Sequence, residues 1–163
     1  FSKQNLNTLL DKSLELSSTD YDLKKQYDFK SIVIDKTYDE NLPLVFCDEG
    51  KMQQVFLNLL RNGAEAMQEA GAEQPSFSLN SAYDAELDTV AITIQDNGPG
   101  IDEKTCKRIF EPFFTTKPVG EGTGLGLSVS YFIITEDHGG EMTVESEMGK
   151  GTKFSIQLPC SPK

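Results

Sequence analysis

Cysteines, long apolar runs and basic residues are all scarce in this sequence. The 163 residues include only three cysteines, Cys47, Cys106 and Cys160, and no two of them form a CxxC pair. This spacing argues against a disulfide framework and against a zinc site, and it favours a reducing compartment such as the cytoplasm. No apolar run approaches the roughly 20 residues that cross a bilayer, so no segment is predicted to span a membrane.

The charge balance is strongly acidic. Lysine and arginine total 15 against 26 aspartates and glutamates, which gives a formal net charge of -11. Such a balance argues against a broad nucleic-acid-binding surface. An anionic ligand would need locally arranged donors or a metal ion.

The length and composition are those of one globular domain with a proper core. Hydrophobic residues make up 37% of the chain and charged residues 25%, which is ordinary for a soluble protein. The chain starts at Phe1 rather than at a methionine, and its first residues lack the pattern of a signal peptide. We therefore expect a piece of a longer protein whose neighbouring domains lie elsewhere.

Hydrophobic periodicity predicts a mixture of helices and strands. Helical spacing covers residues 5–16, residues 49–70 and a segment from about Leu125 to Gly139, while alternation predicts strands at residues 29–39, 42–48, 76–83, 89–96, 141–146 and 151–159. Residues 97–123 are predicted to be irregular, and so long a segment is usually functional or mobile. The hairpins require antiparallel pairs, so the predicted fold class is α/β, a two-layer sandwich with a mixed sheet covered by helices on one face.

The predicted helices carry informative stripes. The first places five leucines on one face: Leu6, Leu9, Leu10, Leu14 and Leu16. The helix over residues 49–70, with Asp48 as a plausible N-cap, has an apolar stripe of Met52, Val55, Phe56, Leu59, Leu60 and Met67. A second stripe on that helix is polar and consists of Gln54, Asn58, Arg61, Asn62 and Glu65. This spacing predicts one core-facing edge and one edge rich in hydrogen-bonding groups.

A glycine cluster, "GEGTGLGL" at residues 120–127, precedes the last predicted helix. Glycine permits close backbone approach, and the usual beneficiary is a phosphate chain. Two familiar phosphate motifs are excluded. Glu103 stands where a P-loop at "GPGIDEKT" needs glycine, and Leu125 stands where a dinucleotide fingerprint starting at Gly120 needs it.

Four ordered clusters remain: "QQVFLNLLRNGAEAM", "DNGPGI", "FEPFFTTK" and "GTGLGL", with "GKGTKFSIQLP" closing the chain. Together they resemble the ATP-binding catalytic domain of bacterial sensor histidine kinases, a member of the gyrase, chaperone and histidine-kinase ATPase superfamily, and especially kinases of the nitrogen-regulation type. The resemblance covers nearly everything from Asn41 onward. It implies a Bergerat-type mixed sheet covered by helices on one face, with a long mobile ATP lid.

The resemblance assigns roles on the polar helix edge. Asn62 would coordinate Mg²⁺, whose hard oxygen ligands include carboxamides, and Asn58 would face the phosphates of ATP. Relatives that hydrolyse ATP carry a glutamate at the position of Asn58, so its absence favours phosphoryl transfer over hydrolysis. Many histidine kinases have a lysine or histidine at the position of Glu65. Because this chain has a carboxylate there, Arg61 is left as the phosphate contact. The alternative is that these side chains are ordinary solvent-facing helix residues.

The resemblance also assigns an adenine site. Asp96 would accept a hydrogen bond from the exocyclic amine of adenine, and Thr152 would hydrogen-bond close to it. The "DNGPGI" motif adds Gly98, Gly100 and Ile101 as nucleotide-binding residues, the glycines letting the backbone pass beneath the base. The alternative is that this motif is simply a turn, which its composition also satisfies.

The lid supplies the remaining candidates. The resemblance assigns phosphate binding to the backbone of six residues: Gly122, Thr123, Gly124, Leu125, Gly126 and Leu127. Lys117 would reach the γ-phosphate, and the lid aromatics Phe110, Phe113 and Phe114 look like the family's F box. The alternative is that the phenylalanines belong to the core and that Lys117 is solvated. For Phe110 the core and the lid interpretations are weighed equally.

The single histidine, His138, lies in "EDHGG" at the end of a predicted helix. A structural capping role is predicted, because a cation there is favoured by the helix dipole. The phosphoacceptor histidine of the resembling family sits in a preceding dimerising hairpin. Residues 1–28 are therefore predicted to be a linker helix and turn from that absent domain, and residues 29–163 the catalytic domain.

The resemblance implies Mg²⁺-dependent transfer of the γ-phosphoryl group of ATP to a histidine on the dimerisation domain, for relay to a response regulator. It implies a homodimeric full-length protein and a monomeric fragment in the cytoplasm, and leaves open whether the full-length protein is membrane-anchored. Two alternatives stay open. One is a serine kinase of the same superfamily that acts on an anti-anti-sigma partner, and the other is a non-catalytic nucleotide-sensing module.

Overall fold

The computed structural model describes residues 1–18, 29–114 and 126–161. The helices are α1 (Leu6–Ser18), α2 (Glu49–Glu69), α3 (Glu103–Arg108) and α4 (Gly126–Phe132), with a 3₁₀ turn at Phe29–Ser31 and a π-helical turn at Ile133–Asp137. The strands are β1 (Ser2–Gln4), β2 (Val33–Thr37), β3 (Val45–Cys47), β4 (Ser76–Asp84), β5 (Thr89–Asp96), β6 (Glu141–Glu147) and β7 (Gly151–Pro159). Within the described ranges, no helix is long and apolar enough to cross a bilayer.

The main sheet has five strands in the order β2-β4-β5-β7-β6. The β2 and β4 strands run parallel, and the other three pairs are antiparallel. One face is apolar and buried, as in β5, where Val90, Ile92 and Ile94 alternate with half-buried or exposed residues. The predicted mixed sheet, covered by helices on one face, is confirmed.

The helices over this face form the core with it. All six residues of the predicted apolar stripe of α2 are buried, and α2 contacts α1 on one side and β5 beneath. Four of the five leucines predicted for the buried face of α1 are buried, but Leu16 is exposed, so its inclusion was wrong. The predicted boundary at residues 28 and 29 borders residues 19–28, which lie outside the described ranges, and it stays a prediction.

Three short elements differ from the sequence-based expectation. The β1 strand pairs antiparallel with β3, through Ser2↔Cys47, and three residues are too few to show a period. The strand expected at residues 29–39 is limited to β2, since a 3₁₀ turn precedes it. The segment expected to be irregular contains α3, whose N-cap Asp102 accepts a hydrogen bond from Thr105 N.

The helix that begins at Gly126 changes pitch before it ends. The α4 helix runs directly into the π-helical turn at Ile133–Asp137. Gly140 N then donates to Ile134 O at 2.8 Å, a bond of the type that closes helix C-termini. The predicted end near Gly139 is confirmed.

Candidate functional site

The polar edge of α2 forms one wall of the candidate site. The helix is capped as predicted, because the Asp48 carboxylate accepts from Lys51 N at 3.0 Å. Along the edge, Asn58 and Asn62 are half-buried and Arg61 is exposed. The carboxamide of Asn62 and the guanidinium of Arg61 have no hydrogen-bond partner among the described residues. Both groups can therefore take an external partner.

Asn58 joins α2 to α4. Its Nδ2 donates to Gly126 O at 3.3 Å and to Ser130 Oγ at 3.2 Å. Ser130 is fully buried and donates back to Gly126 O at 2.8 Å. These bonds hold the first turn of α4 against the polar edge of α2. Among the described residues, Asn58 Oδ1 accepts no hydrogen bond, so it is the acceptor that this carboxamide has to offer.

A glycine lets α2 lie directly on the sheet. A Cβ atom at Gly63 would lie 2.5 Å from Phe77 Cε1 and 3.2 Å from Asp96 Oδ2. Only a residue without a side chain fits between the helix and these two groups. As a result α2 passes directly over Asp96 at Gly63, the residue that follows Asn62.

Asp96 is the buried acid of the site. It ends β5, is 7% exposed, and accepts from Gly98 N at 2.8 Å. Burial raises the pKa of the Asp96 carboxyl above its ordinary value, and the backbone N–H groups of Gly98 and Thr152 offset part of that effect. A buried carboxyl with a perturbed pKa is a candidate functional group.

Asp96 belongs to a polar row that crosses three strands. It pairs directly with Thr152 on β7, and Thr152 pairs with Ser146 on β6. Ser146 Oγ donates to Gly151 O at 2.9 Å and lies 2.9 Å from Thr152 Oγ1. The sequence analysis did not single out Ser146, although the alternation in "EMTVES" places it on the helix-covered face beside Thr152.

The "DNGPGI" motif is fixed against the β6–β7 turn. Ile101 N donates to Ser146 Oγ at 2.8 Å, and Gly149 N donates to Pro99 O at 2.7 Å. Gly100 has φ +77°, and a Cβ there would collide with Glu147 O. The motif is therefore a turn, and it begins with the buried Asp96 itself. A nucleotide-contacting role for Gly98, Gly100 and Ile101 stays a prediction.

The lid candidates are only partly placed. Lys117, Gly122, Thr123, Gly124 and Leu125 lie outside the described residues, so their assigned roles stay predictions. Gly126 and Leu127 form the first turn of α4, and Leu127 packs partly against the core.

The lid aromatics separate into different environments. Phe110 stacks on Tyr131 with ring centroids 4.8 Å apart and packs against the core. Phe113 is 74% exposed and has φ +65°. Phe114 faces the Arg108 guanidinium at 4.7 Å. The core interpretation therefore fits Phe110 and does not fit Phe113.

His138 links two helices. Its Nε2 accepts from Asp48 N at 3.1 Å, and its Nδ1 donates to Ile133 O at 2.8 Å. A structural role at the helix end is thus confirmed. The cationic form expected there is wrong for this arrangement, because an accepting Nε2 requires the neutral ring with its proton on Nδ1.

No group of three or more His, Cys, Asp or Glu side chains that could hold a metal ion occurs in the described part of the chain. A divalent cation would instead depend on carboxamide oxygen and ligand oxygens. The half-buried carboxamide of Asn62, for which the described ranges hold no hydrogen-bond partner, fits Mg²⁺, which takes few protein ligands alongside phosphate oxygens and water.

Comparison with known proteins gives consistent matches. The model of the histidine kinase-, DNA gyrase B- and HSP90-like ATPase family matches residues 47–162. Sporulation kinase E of Bacillus subtilis is 42% identical over 137 residues, which cover 84% of this chain and 18% of that kinase. Sensor histidine kinase ZraS of Escherichia coli is 37% identical over 156 residues, which cover 96% of this chain and 30% of ZraS.

Among solved structures, the catalytic domain of histidine kinase ThkA superposes with a TM-score of 0.79 at 30% identity, covering 99% of this chain and 98% of that one. The match therefore covers nearly the whole of that ThkA chain. It spans less than a third of the length of the two curated kinases.

Proposed function

We propose, from the premise that this chain belongs to the histidine kinase-, DNA gyrase B- and HSP90-like ATPase family, that it is the ATP-binding catalytic domain of a sensor histidine kinase. Membership of the family confirms the resemblance that the motifs predicted. The proposed reaction is transfer of the γ-phosphoryl group of ATP to a histidine on a separate dimerisation domain.

The observation that carries the proposal is the buried Asp96 beneath Gly63 of α2 and directly opposite Thr152. A carboxylate has about four lone-pair positions, so two backbone N–H groups leave acceptor capacity unused. The exocyclic amine of adenine is a donor that matches this capacity. The base would therefore bind at the end of β5, under α2.

The phosphates would lie along the polar edge of α2. Arg61 is an exposed cation, and Asn58 Oδ1 and the Asn62 carboxamide have acceptor atoms to offer. Asn62 would hold the magnesium ion, which when bound supplies neutralisation of phosphate charge. Lys117, Gly122, Thr123, Gly124, Leu125, Gly126 and Leu127 are the proposed lid contacts.

The transfer step needs positioning more than acid-base chemistry. An imidazole nitrogen of the acceptor histidine would form a bond to the γ-phosphorus. The bond between that phosphorus and the β–γ bridging oxygen would break, and ADP would leave with the electron pair. No carboxylate stands at position 58 to activate water, and His138, the only histidine of the chain, is committed to the helix end.

The acceptor and the downstream partner are therefore separate domains. The structure of ThkA in complex with response regulator protein TrrA, similar to this chain at 28% identity and a TM-score of 0.77, supports a receiver domain as the partner of the full-length protein. A homodimeric full-length kinase with this domain in the cytoplasm, whether or not it is anchored in a membrane, completes the proposal.

The proposal is tested by incubating this chain with γ-labelled ATP, magnesium and the histidine-bearing hairpin of the full-length protein. We expect label on the hairpin that is lost in acid and kept in alkali, and no label with Asn62→Ala. The control Gln54→Ala changes an exposed residue of the same helix. Acid-stable label on a protein substrate would favour the serine kinase, and tight ATP binding without transfer would favour the non-catalytic module.

A further inference from the structure

Ser146 lies at the end of the polar row, and none of its hydrogen-bond partners among the described residues belongs to the site proposed for phosphate. Its side chain is on the helix-covered face of β6, next to Thr152 on β7, which in turn lies next to Asp96 on β5. Thr152 and Asp96 are both buried. The row therefore connects a half-buried hydroxyl on the outer strand to the buried acid through a single intermediate, Thr152.

The hydrogen-bond partners of Ser146 fix the direction of this row. Gly151 O can only accept, so the Ser146 hydroxyl donates its proton there, at 2.9 Å. Ile101 N can only donate, and it lies 2.8 Å from Ser146 Oγ. A hydroxyl has one proton and two lone pairs. The third contact, 2.9 Å to Thr152 Oγ1, must then be donated by Thr152.

Thr152 is thereby left with lone pairs only. Its one proton is committed to Ser146, so Thr152 Oγ1 can accept but not donate toward its other neighbours. The Asp96 carboxylate directly opposite is also an acceptor, and it does not need to accept a hydrogen bond from the Thr152 hydroxyl. Without Ser146, that proton would turn toward Asp96 or toward a bound ligand, and the site would lose acceptor capacity in either case.

We propose that Ser146 is a positioning residue that sets the base preference of the site: by taking the Thr152 proton, it keeps Thr152 and Asp96 as acceptors. Such a pair selects the exocyclic amine that adenine carries at C6 over the exocyclic carbonyl that guanine carries at the same position. The inference rests on the proposed function, since it requires a nucleotide base beside Asp96.

The experiment measures the dissociation constants of ADP and GDP, each with magnesium, by titration calorimetry on this chain. The variants are Ser146→Ala and Ser146→Thr, and the matched control is Ser155→Ala, the same change on the opposite face of the sheet. We expect Ser146→Ala to lower the GDP-to-ADP ratio of dissociation constants at least about tenfold, the scale of one hydrogen bond left unmade. Ser146→Thr keeps the hydroxyl and is expected to keep the ratio, as is Ser155→Ala.

A purely structural role predicts a different result. If Ser146 only held the loop at residues 97–101 in place, its loss would weaken ADP and GDP equally. An unchanged ratio in folded Ser146→Ala overturns the inference. Ser146 is proposed to act only through the Thr152 hydroxyl, so Ser146→Ala should have no further effect on the ratio in a chain that already carries Thr152→Val. If Ser146→Ala lowers the ratio by the same factor in both backgrounds, the inference is also overturned.

If Ser146→Ala does not fold, the comparison of Thr152→Ser with Thr152→Val carries the test. The serine keeps a hydroxyl and must keep the ratio, whereas valine must lower it, and equal ratios in the two variants overturn the inference. Failure of the proposed function itself can be distinguished from failure of the inference about Ser146. In that case the unaltered chain would not bind ADP, or Asp96→Ala would leave ADP binding intact.

Discussion

The two ends of the candidate site are held in different ways. At the sheet end, Asp96 and Thr152 are buried, and backbone and side-chain hydrogen bonds connect them to Gly98 and Ser146. At the helix end, Arg61 is exposed and Asn62 is half-buried, with no hydrogen-bond partner in the described ranges. The sheet end is preorganised by these hydrogen bonds, while the helix end presents side chains that can take an external partner.

The proposed function assigns binding of the base to the sheet end and phosphoryl transfer to the helix end. A buried, hydrogen-bonded acid contributes to folding as well as to recognition, so changes at the sheet end should alter both nucleotide affinity and stability. The Arg61 and Asn62 side chains make no hydrogen bond within the described ranges, so changes at these two positions should alter phosphoryl transfer and leave stability nearly constant.

The largest effect is expected at the helix end. Asn62→Ala should slow autophosphorylation of the full-length protein by at least about a hundredfold, because it removes the proposed metal ligand from a charge-stabilised transfer step. The free energy of unfolding should change little. The rate is measured with γ-labelled ATP and the stability by urea titration, with Gln54→Ala as the control. An unchanged rate would remove Asn62 from the site.

At the sheet end, Asp96→Asn should weaken ADP binding by about thirtyfold or more, because the amide offers the base one acceptor fewer. Its effect on stability should depend on pH. The pKa of Asp96 is raised by burial, so its contribution to stability is fully present below the ordinary value of about 4 and is lost as pH rises through the raised value.

Asparagine does not titrate in this range. The unaltered chain should therefore lose stability relative to Asp96→Asn as the pH is raised from about 4 to about 7. Urea titrations of both proteins across that range measure the difference. If the unaltered chain instead gained stability relative to Asp96→Asn as the pH rises, the proposed cost of burying the Asp96 carboxylate would be contradicted.

The contact between the two ends is tested at Gly63. Gly63→Ala places a Cβ against Phe77 and close to Asp96, and overpacking of this kind costs about 2 kcal/mol of unfolding free energy. The matched control is Gly50→Ala in the first turn of the same helix, where the nearest atom to a Cβ would be 3.6 Å away. Equal stabilities of the two variants would show that α2 does not pack so closely on the sheet.

The smallest effects are expected away from both ends, at His138 and Lys51. His138→Ala removes the bonds to Asp48 N and Ile133 O and should cost about 1 kcal/mol of unfolding free energy by urea titration. Lys51→Ala, which removes the exposed ion pair with Asp137 at 2.9 Å, should have a smaller effect. If Lys51→Ala lowered the free energy of unfolding more than His138→Ala does, the expected order of the His138 hydrogen bonds and the Lys51–Asp137 ion pair would be contradicted.

Most of the architecture and much of the site could be predicted because they depend on local patterns. Helical spacing placed Asn58 and Asn62 on one edge of α2, and an acid at the end of an apolar alternation marked Asp96. The mixed sheet and the family resemblance are confirmed.

The remaining features depend on tertiary contacts. Ser146 has the sequence pattern of an ordinary strand residue, and its importance arises only from contacts with Ile101, Gly151 and Thr152. Ser130 is similar, since its partner Asn58 lies on another helix. The α3 helix has no buried residue and hence no apolar stripe that a period could reveal.

The most direct test of the account is a crystal structure of this chain with magnesium and a non-hydrolysable ATP analogue. The account predicts the exocyclic amine of the base within hydrogen-bonding distance of Asp96, and the metal ion on the side-chain oxygen of Asn62. A nucleotide bound elsewhere, or a base that does not contact Asp96, would contradict it.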